Sequence, residues 1–299
     1  MLLLEYYTNY MLSIKNRSQG TTEGYKRDIL EFYNYINTIK PKKMDVEKFI
    51  LEKVDLNVLH NFIKSLSNIS STTKARKIAS LKSFYKYLVL SEHTNNNPTI
   101  NLEAPKQSKR RLPVYMSLEE ANTLMNNIAD IRDKAIITVF LNTGIRLSEL
   151  VNLDMNTLKL DEGYFRVIGK GDKERIVHMN QVTSDAIKNY LEIRPYTTSK
   201  ALFLSNRKER INQRSVQNIL KKYLNQLELN NKYSIHKLRH TSATLMYQYG
   251  DVDIKTLQEI LGHESIATTQ IYTHVDTRQL KKAVDVNPLN VGGKGNENL

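Results

Sequence analysis

Two arginines, two histidines and a tyrosine are spread over the C-terminal half of the chain, at Arg146, His236, Arg239, His263 and Tyr272. Together they supply two guanidiniums, two imidazoles and a phenol, the groups needed to hold a phosphodiester and attack it without a metal. In-line cleavage of a phosphodiester builds negative charge on non-bridging oxygens, which arginine meets with paired donors while keeping its own proton. Two arginines can therefore form a clamp that tightens as charge develops. A tyrosine nucleophile would leave a phosphotyrosyl ester that conserves the bond energy for religation, so no ATP is required. An unperturbed phenol has a pKa of about 10. Neighbouring cations must favour the phenolate, or a base must take its proton, and His236 and His263 are placed to assist. The set points to covalent chemistry on DNA.

These residues need elements to hold them. Leu118 to Met125 and Asp133 to Leu141 carry helical periodicity, and Gly144 interrupts the chain just before Arg146, where a glycine lets the backbone turn and aim the arginine inward. Glu149, three residues beyond Arg146, is suited to orienting a side chain rather than reacting; the plain alternative is a glutamate on a helix surface. Tyr164 to Ile168 and Glu174 to Met179 read as two short strands around a turn bearing Gly169 and Gly171, which puts Lys170 at a hairpin tip, with Lys173 beside it. A helix over Ser215 to Leu227 is flanked by Arg214 and carries Lys221 and Lys222. Ser234 to Tyr249 is helical and presents His236 and Arg239, and Ile254 to Leu261 ends at Gly262.

The N-terminal part reads as a small helical bundle. Tyr25, Ile29, Phe32, Tyr33 and Ile36 recur at steps of three and four, with Thr21 or Thr22 as candidate cap. Val54 to Leu66 and Ser71 to Leu90 repeat the pattern, and Lys74, Arg76, Lys77, Lys82 and Lys86 stud the last of these helices. From Asn95 to Pro113 the periodicity breaks, and the run Lys109-Arg110-Arg111 lies in this stretch, where contact with DNA phosphates or simple solvation would suit it. The organisation expected is a helical domain over 1–104, a linker over 105–113, a second domain over 114–290 and a glycine-rich tail over 291–299.

Composition narrows the partner. The chain has 299 residues and a formal charge of +13, about evenly divided between the stretches before and after residue 107. A basic excess in both halves favours a polyanion touched from two sides. There is no cysteine, hence no disulfide or thiolate metal site. The N-terminus lacks the basic start and long apolar run of a signal peptide, and no stretch nears the roughly 20 apolar residues of a membrane span, so a soluble cytoplasmic protein with no membrane partner is expected. His236 and His240 have the spacing of a zinc pair, but Lys237 stands where a zinc-peptidase helix has glutamate, and Arg239 adds a second cation against a metal. No cofactor is expected.

Thr143-Gly144-Ile145-Arg146-Leu147-Ser148-Glu149-Leu150, Ile168-Gly169-Lys170-Gly171-Asp172-Lys173-Glu174-Arg175, His236-x-x-Arg239-His240, Leu261-Gly262-His263 and Tyr272 resemble, in order and spacing, the motifs of tyrosine recombinases. The likeness is closest to Xer-type and other short integrases, and Ala75 to Leu88 is similar to the helix ending their N-terminal DNA-binding domain. The resemblance implies a mainly α fold: an N-terminal SAM-like helical bundle, then a mostly helical catalytic domain with a small antiparallel sheet. It implies Tyr272 as nucleophile, with Tyr247 and Tyr249 as competitors better suited to core packing. Arg146 and Arg239 would clamp the phosphate, with His236 and His263 aiding proton transfer, and Lys170, or else Lys173, would protonate the leaving 5′ oxygen. DNA contact is implied for Lys74, Arg76, Lys82, Arg214 and Lys221, the last two from a helix in the position of a major-groove reader. His240 is expected to be buried and structural, and His274 is undecided. Four protomers would pair two double-stranded DNA sites, alone or with a related second recombinase, and the tail beyond Tyr272 would pack on a neighbouring protomer or fold back on its own domain. Two alternatives remain: a type IB topoisomerase-like nicking and closing enzyme, and a DNA-binding protein with dead catalytic residues.

Overall fold

The computed structural model describes residues 2–105, 114–169, 174–229, 232–250 and 252–262. The fold is mainly helical with one small sheet. The chain forms two compact units, 1–110 and 111–299.

In the first unit, α1 (Leu2–Ser13), α2 (Gln19–Ile39), α3 (Val46–Glu52), α4 (Leu56–Ser65) and α5 (Ser71–Leu90) surround a core of Tyr7, Ile29, Phe32, Ile36, Phe62, Phe84 and Leu88. The helix starts follow side-chain chemistry. Asp45, Asp55 and Ser70 each accept the orphan N–H groups of the turn they precede. The cap of α2 is Ser18 rather than Thr21 or Thr22: the Ser18 Oγ accepts the Thr21 N–H at 3.3 Å, which moves the start three residues upstream. Beyond α5, where the helical periodicity breaks, Leu102 still packs in this core and Thr99 is buried as well.

Lys77 is not on a DNA-facing surface. It is buried, donating to Asp28 at 3.2 Å and to Glu31, while Arg76 and Ser80 also bond the buried Asp28. A buried carboxylate must be paired to be tolerated, so α5 gives two of its cations to holding α2.

The second unit is built on α7 (Ile131–Thr143), whose Ile136, Ile137, Val139 and Phe140 have no exposed surface. A helix apolar all round is a central helix, and α9 (Gln181–Ile193) and α11 (Ile235–Tyr249) pack on it. Around them lie α6 (Leu118–Asn126), α8 (Leu147–Val151), α10 (Gln213–Gln226) and α12 (Ile254–Leu261). Strands β1 (Leu158–Lys159), β2 (Tyr164–Ile168) and β3 (Glu174–His178) form an antiparallel sheet in that order, with Val167 opposite Arg175 and Phe165 opposite Val177. Among the described residues no helix is long and apolar enough to cross a membrane.

Candidate active site

Gly144 ends α7 with φ +61°, in the left-handed region that glycine enters without steric cost. A Cβ there would lie 2.8 Å from Leu261 Cδ2, so the position also permits the close approach of α12. The turn delivers Arg146 to the start of α8. Glu149, on the first turn of that helix, accepts the Arg146 backbone N–H at 2.9 Å and Arg146 Nη1 at 2.7 Å. Its carboxylate is 2% exposed, so it is no surface glutamate but the anchor of the arginine. Arg146 Nη2 then reaches across to donate to the Gly262 carbonyl at 2.7 Å.

Ser234 caps α11 by accepting the Lys237 N–H at 3.4 Å, which places His236 and Arg239 on the opening turns. Arg239 is buried and donates Nη1 to the Gly144 carbonyl and Nη2 to the Leu261 carbonyl at 2.6 Å. Asp253 caps α12, and Gly262 ends it in the left-handed region at φ +62°. The last carbonyls of a helix lack intrahelical partners and carry partial negative charge, so two guanidiniums fit them. Both arginines therefore grip the Leu261–Gly262 turn, the segment leading directly to His263.

His236 sits beside this pair, with its ring centroid 4.6 Å from that of the half-buried His240, edge to face. Its pKa is lowered by loss of solvent on its inner side, then by Arg239 and Arg146. His240 is pushed down to about 4 by burial first, then by His236, Arg239 and Lys237. Both imidazoles are thus neutral near pH 7, the form able to accept a proton. A cavity of about 360 Å³ opens here, lined by Arg146, Ser148, Gln217, Ser234, His236 and Arg239. On the other side of Arg146 a cleft of about 530 Å³ runs between α8 and β2 past Glu149, Asp154, Arg166 and Gly169. Arg146 is a third exposed between them.

The structure thus brings Arg146, Arg239 and His236 together. Lys170, Lys173, His263, Tyr272 and His274 lie outside the described residues, as does the 291–299 tail. Lys82, Arg214 and Lys221 are exposed and Lys74 is partly buried, while Arg76 keeps 47% of its side chain exposed despite its ion pair with Asp28. Tyr249 is exposed rather than packed in the core, and Tyr247 is only partly buried. Eight residues of helix separate Tyr247 from Arg239, about 12 Å along the axis. Tyr7, Tyr33, Tyr85, Tyr190, Tyr223 and Tyr233 are core phenols whose pKa is raised, by burial first, and they are correspondingly poor nucleophiles.

Sequence reasoning missed Arg175, whose Nη2 donates to Glu149 at 2.9 Å. The available signal was strand alternation: Arg175 shares the inward phase of β3 with Val177, while Ile176 points outward.

Residues 115–279 match the Phage integrase family, and residues 4–92 match the Phage integrase, N-terminal SAM-like domain. A protein named tyrosine recombinase XerC from Caldanaerobacter subterraneus subsp. tengcongensis is 45% identical over 309 aligned positions, covering 96% of this chain and 87% of the relative. The crystal structure of XerA recombinase is similar with a TM-score of 0.53 and 29% identity, covering 95% of this chain and 96% of that one. The structure of XerH site-specific recombinase in a post-cleavage complex with palindromic difH substrate aligns with a TM-score of 0.74 at 23% identity, over 95% of this chain and 83% of that one.

Proposed function

Because the chain belongs to the phage integrase family and is a tyrosine recombinase that cleaves and rejoins DNA at specific sites, we propose that its chemistry runs through a phosphotyrosyl ester formed by Tyr272. The observation that carries the reading is that Arg146, Arg239 and His236 line one cavity and that both arginines donate to the turn before His263 in the chain.

The Tyr272 oxygen attacks the scissile phosphorus, forming a P–O bond to tyrosine as the bond to the 5′ oxygen breaks. The two guanidiniums meet the charge that develops on the non-bridging oxygens. His236 accepts hydrogen bonds or a proton in its neutral form, and His263, the next residue in sequence after the Leu261–Gly262 turn, assists. Lys170, with Lys173 as its competitor, gives the proton that the leaving 5′ oxygen needs. Religation reverses each transfer, with a 5′ hydroxyl as the new attacking group, so neither ATP nor metal is consumed.

The site residues act within the 114–290 domain, while Lys74, Arg76, Lys82, Arg214 and Lys221 supply phosphate or base contacts. The duplex partner suits the +13 charge. The enzyme works in the cytoplasm as a tetramer on two paired sites and resolves or integrates circular DNA, alone or beside a related recombinase.

The test is to trap the protein on genomic DNA and sequence the attached ends. Site-specific recombination predicts one short recurring sequence carrying a 3′ phosphotyrosyl link. Adducts scattered over unrelated sequences would favour a nicking and closing enzyme.

A further inference from the structure

Arg175 lies on the inward face of β3, in register with Val167 and two residues before Val177, both of them buried. A guanidinium on the apolar side of a hairpin is costly unless its donors are used. Nη2 donates to Glu149 at 2.9 Å, but Nε and Nη1 are buried with no hydrogen-bond partner among the described residues. Burial lowers the Arg175 pKa, Glu149 raises it, and Arg146 lowers it again. Among the described residues this arrangement is a poor device for stability alone, because a hydrophobic side chain would fill the position without leaving donors there unpaired.

Its contacts suggest another use. Glu149 Oε2 accepts from both Arg175 and the Arg146 backbone, while Oε1 accepts from Arg146 Nη1. A Cβ on Gly262 would lie 2.5 Å from Arg175 Nε and 2.9 Å from its Cδ, so Arg175 also covers the glycine whose carbonyl receives Arg146 Nη2. One strand residue thus touches both supports of Arg146, and it lies on the strand paired with β2, five residues after Lys170 in sequence.

We infer that Arg175 is a positioning residue of the cleavage reaction, fixing the Glu149 carboxylate and the Gly262 turn so that Arg146 meets the scissile phosphate in one orientation. The inference rests on the reading of Arg146 as a phosphate clamp. It makes Glu149 a shared hub, and it ties the hairpin to the clamp through one carboxylate.

The test uses the full chain in single-turnover cleavage of a nicked suicide substrate, with half-site binding and melting temperature measured alongside. Adduct formation by the wild type and its collapse in Arg146→Ala come first; failure there removes the clamp reading itself, separately from the part given to Arg175. Arg175→Ala should bind a half-site with unchanged affinity and cleave about 10- to 100-fold more slowly, the scale of a small misplacement of a catalytic group. The slowing should be the same on DNA whose bridging 5′ oxygen is sulfur, since the clamp is impaired and not the proton donor. Glu149→Gln should also slow cleavage, and the double variant should be no slower than the slower single one, because parts of one unit are not additive. Arg175→Lys keeps the charge but loses the fork, and should fall between wild type and Arg175→Ala. If Arg175→Ala does not fold, Arg175→Lys decides the matter, and cleavage by it at the wild-type rate overturns the proposal. Multiplying losses in the double variant, full rescue on the sulfur substrate, or undiminished cleavage by Arg175→Ala would overturn it equally.

Discussion

Arg146 and Arg239 hold the same turn by different routes, and the difference predicts how each should fail. Arg239 is buried and bridges the Gly144 and Leu261 carbonyls, whereas Arg146 is a third exposed and shares Glu149 with Arg175. Removal of either should lower cleavage by roughly 10²–10³, the scale for losing one charge-stabilising donor. Arg239→Ala should also strand two buried carbonyls, at about 1–3 kcal/mol each, so its melting temperature should fall well below that of Arg146→Ala. Equal melting temperatures would contradict this division of labour. His240 makes a pH prediction. Its folded pKa of about 4 lies below the unfolded value of about 6.5. The unfolded chain therefore binds more protons between these values, and the stability owed to the neutral ring is complete above pH 6.5 and lost as pH falls toward 4. His240→Gln should lose less melting temperature than wild type over that window, and parallel curves would refute the assignment.

At the scale of elements, the turns before Arg146 and His263 carry the site. Gly144→Ala forces a side chain into φ +61° and sets a Cβ 2.8 Å from Leu261 Cδ2, so it should cost about 1–2 kcal/mol for the backbone and push α12 away as well. Thermal melting and cleavage should both suffer; an unchanged cleavage rate would mean that the close approach of α12 is not needed. Much of this was legible in the chain. The α5 boundaries and the helix-ending turns at Gly144 and Gly262 follow from periodicity and from the residues that punctuate it. The rest was hidden for physical reasons. A two-residue β1 has no period to detect, and the first turn of α9 buries the polar Thr183 and Ser184 where an apolar period would need hydrophobic residues. The cap at Ser18 is hidden because the serine, glutamine and glycine at the start of α2 carry no apolar period. Glu149 and Arg175 were ambiguous because a charged residue near a helix start or in a strand is ordinarily solvated, and only tertiary burial makes it a hub.

At the scale of the whole molecule, the site is a long-range object. The Arg146–Gly262 bond spans 116 residues and the Arg239–Gly144 bond spans 95, so no local pattern reveals either contact. Only the order of motifs suggested that the residues meet. The proposed assembly adds a requirement beyond the single chain. Truncation after Thr277 should leave half-site binding nearly unchanged while weakening cooperative filling of a full site and abolishing recombination. Undiminished cooperativity would refute tail exchange and leave the covalent chemistry standing. That chemistry is the central claim, and the most direct measurement of it is peptide-level mass spectrometry of the adduct trapped on a nicked suicide substrate in EDTA. The account predicts a nucleotide phosphate on Tyr272 and no adduct from Tyr272→Phe, which should still bind the site. An adduct on Tyr247, Tyr249 or another residue, or one that persists in Tyr272→Phe, would contradict it.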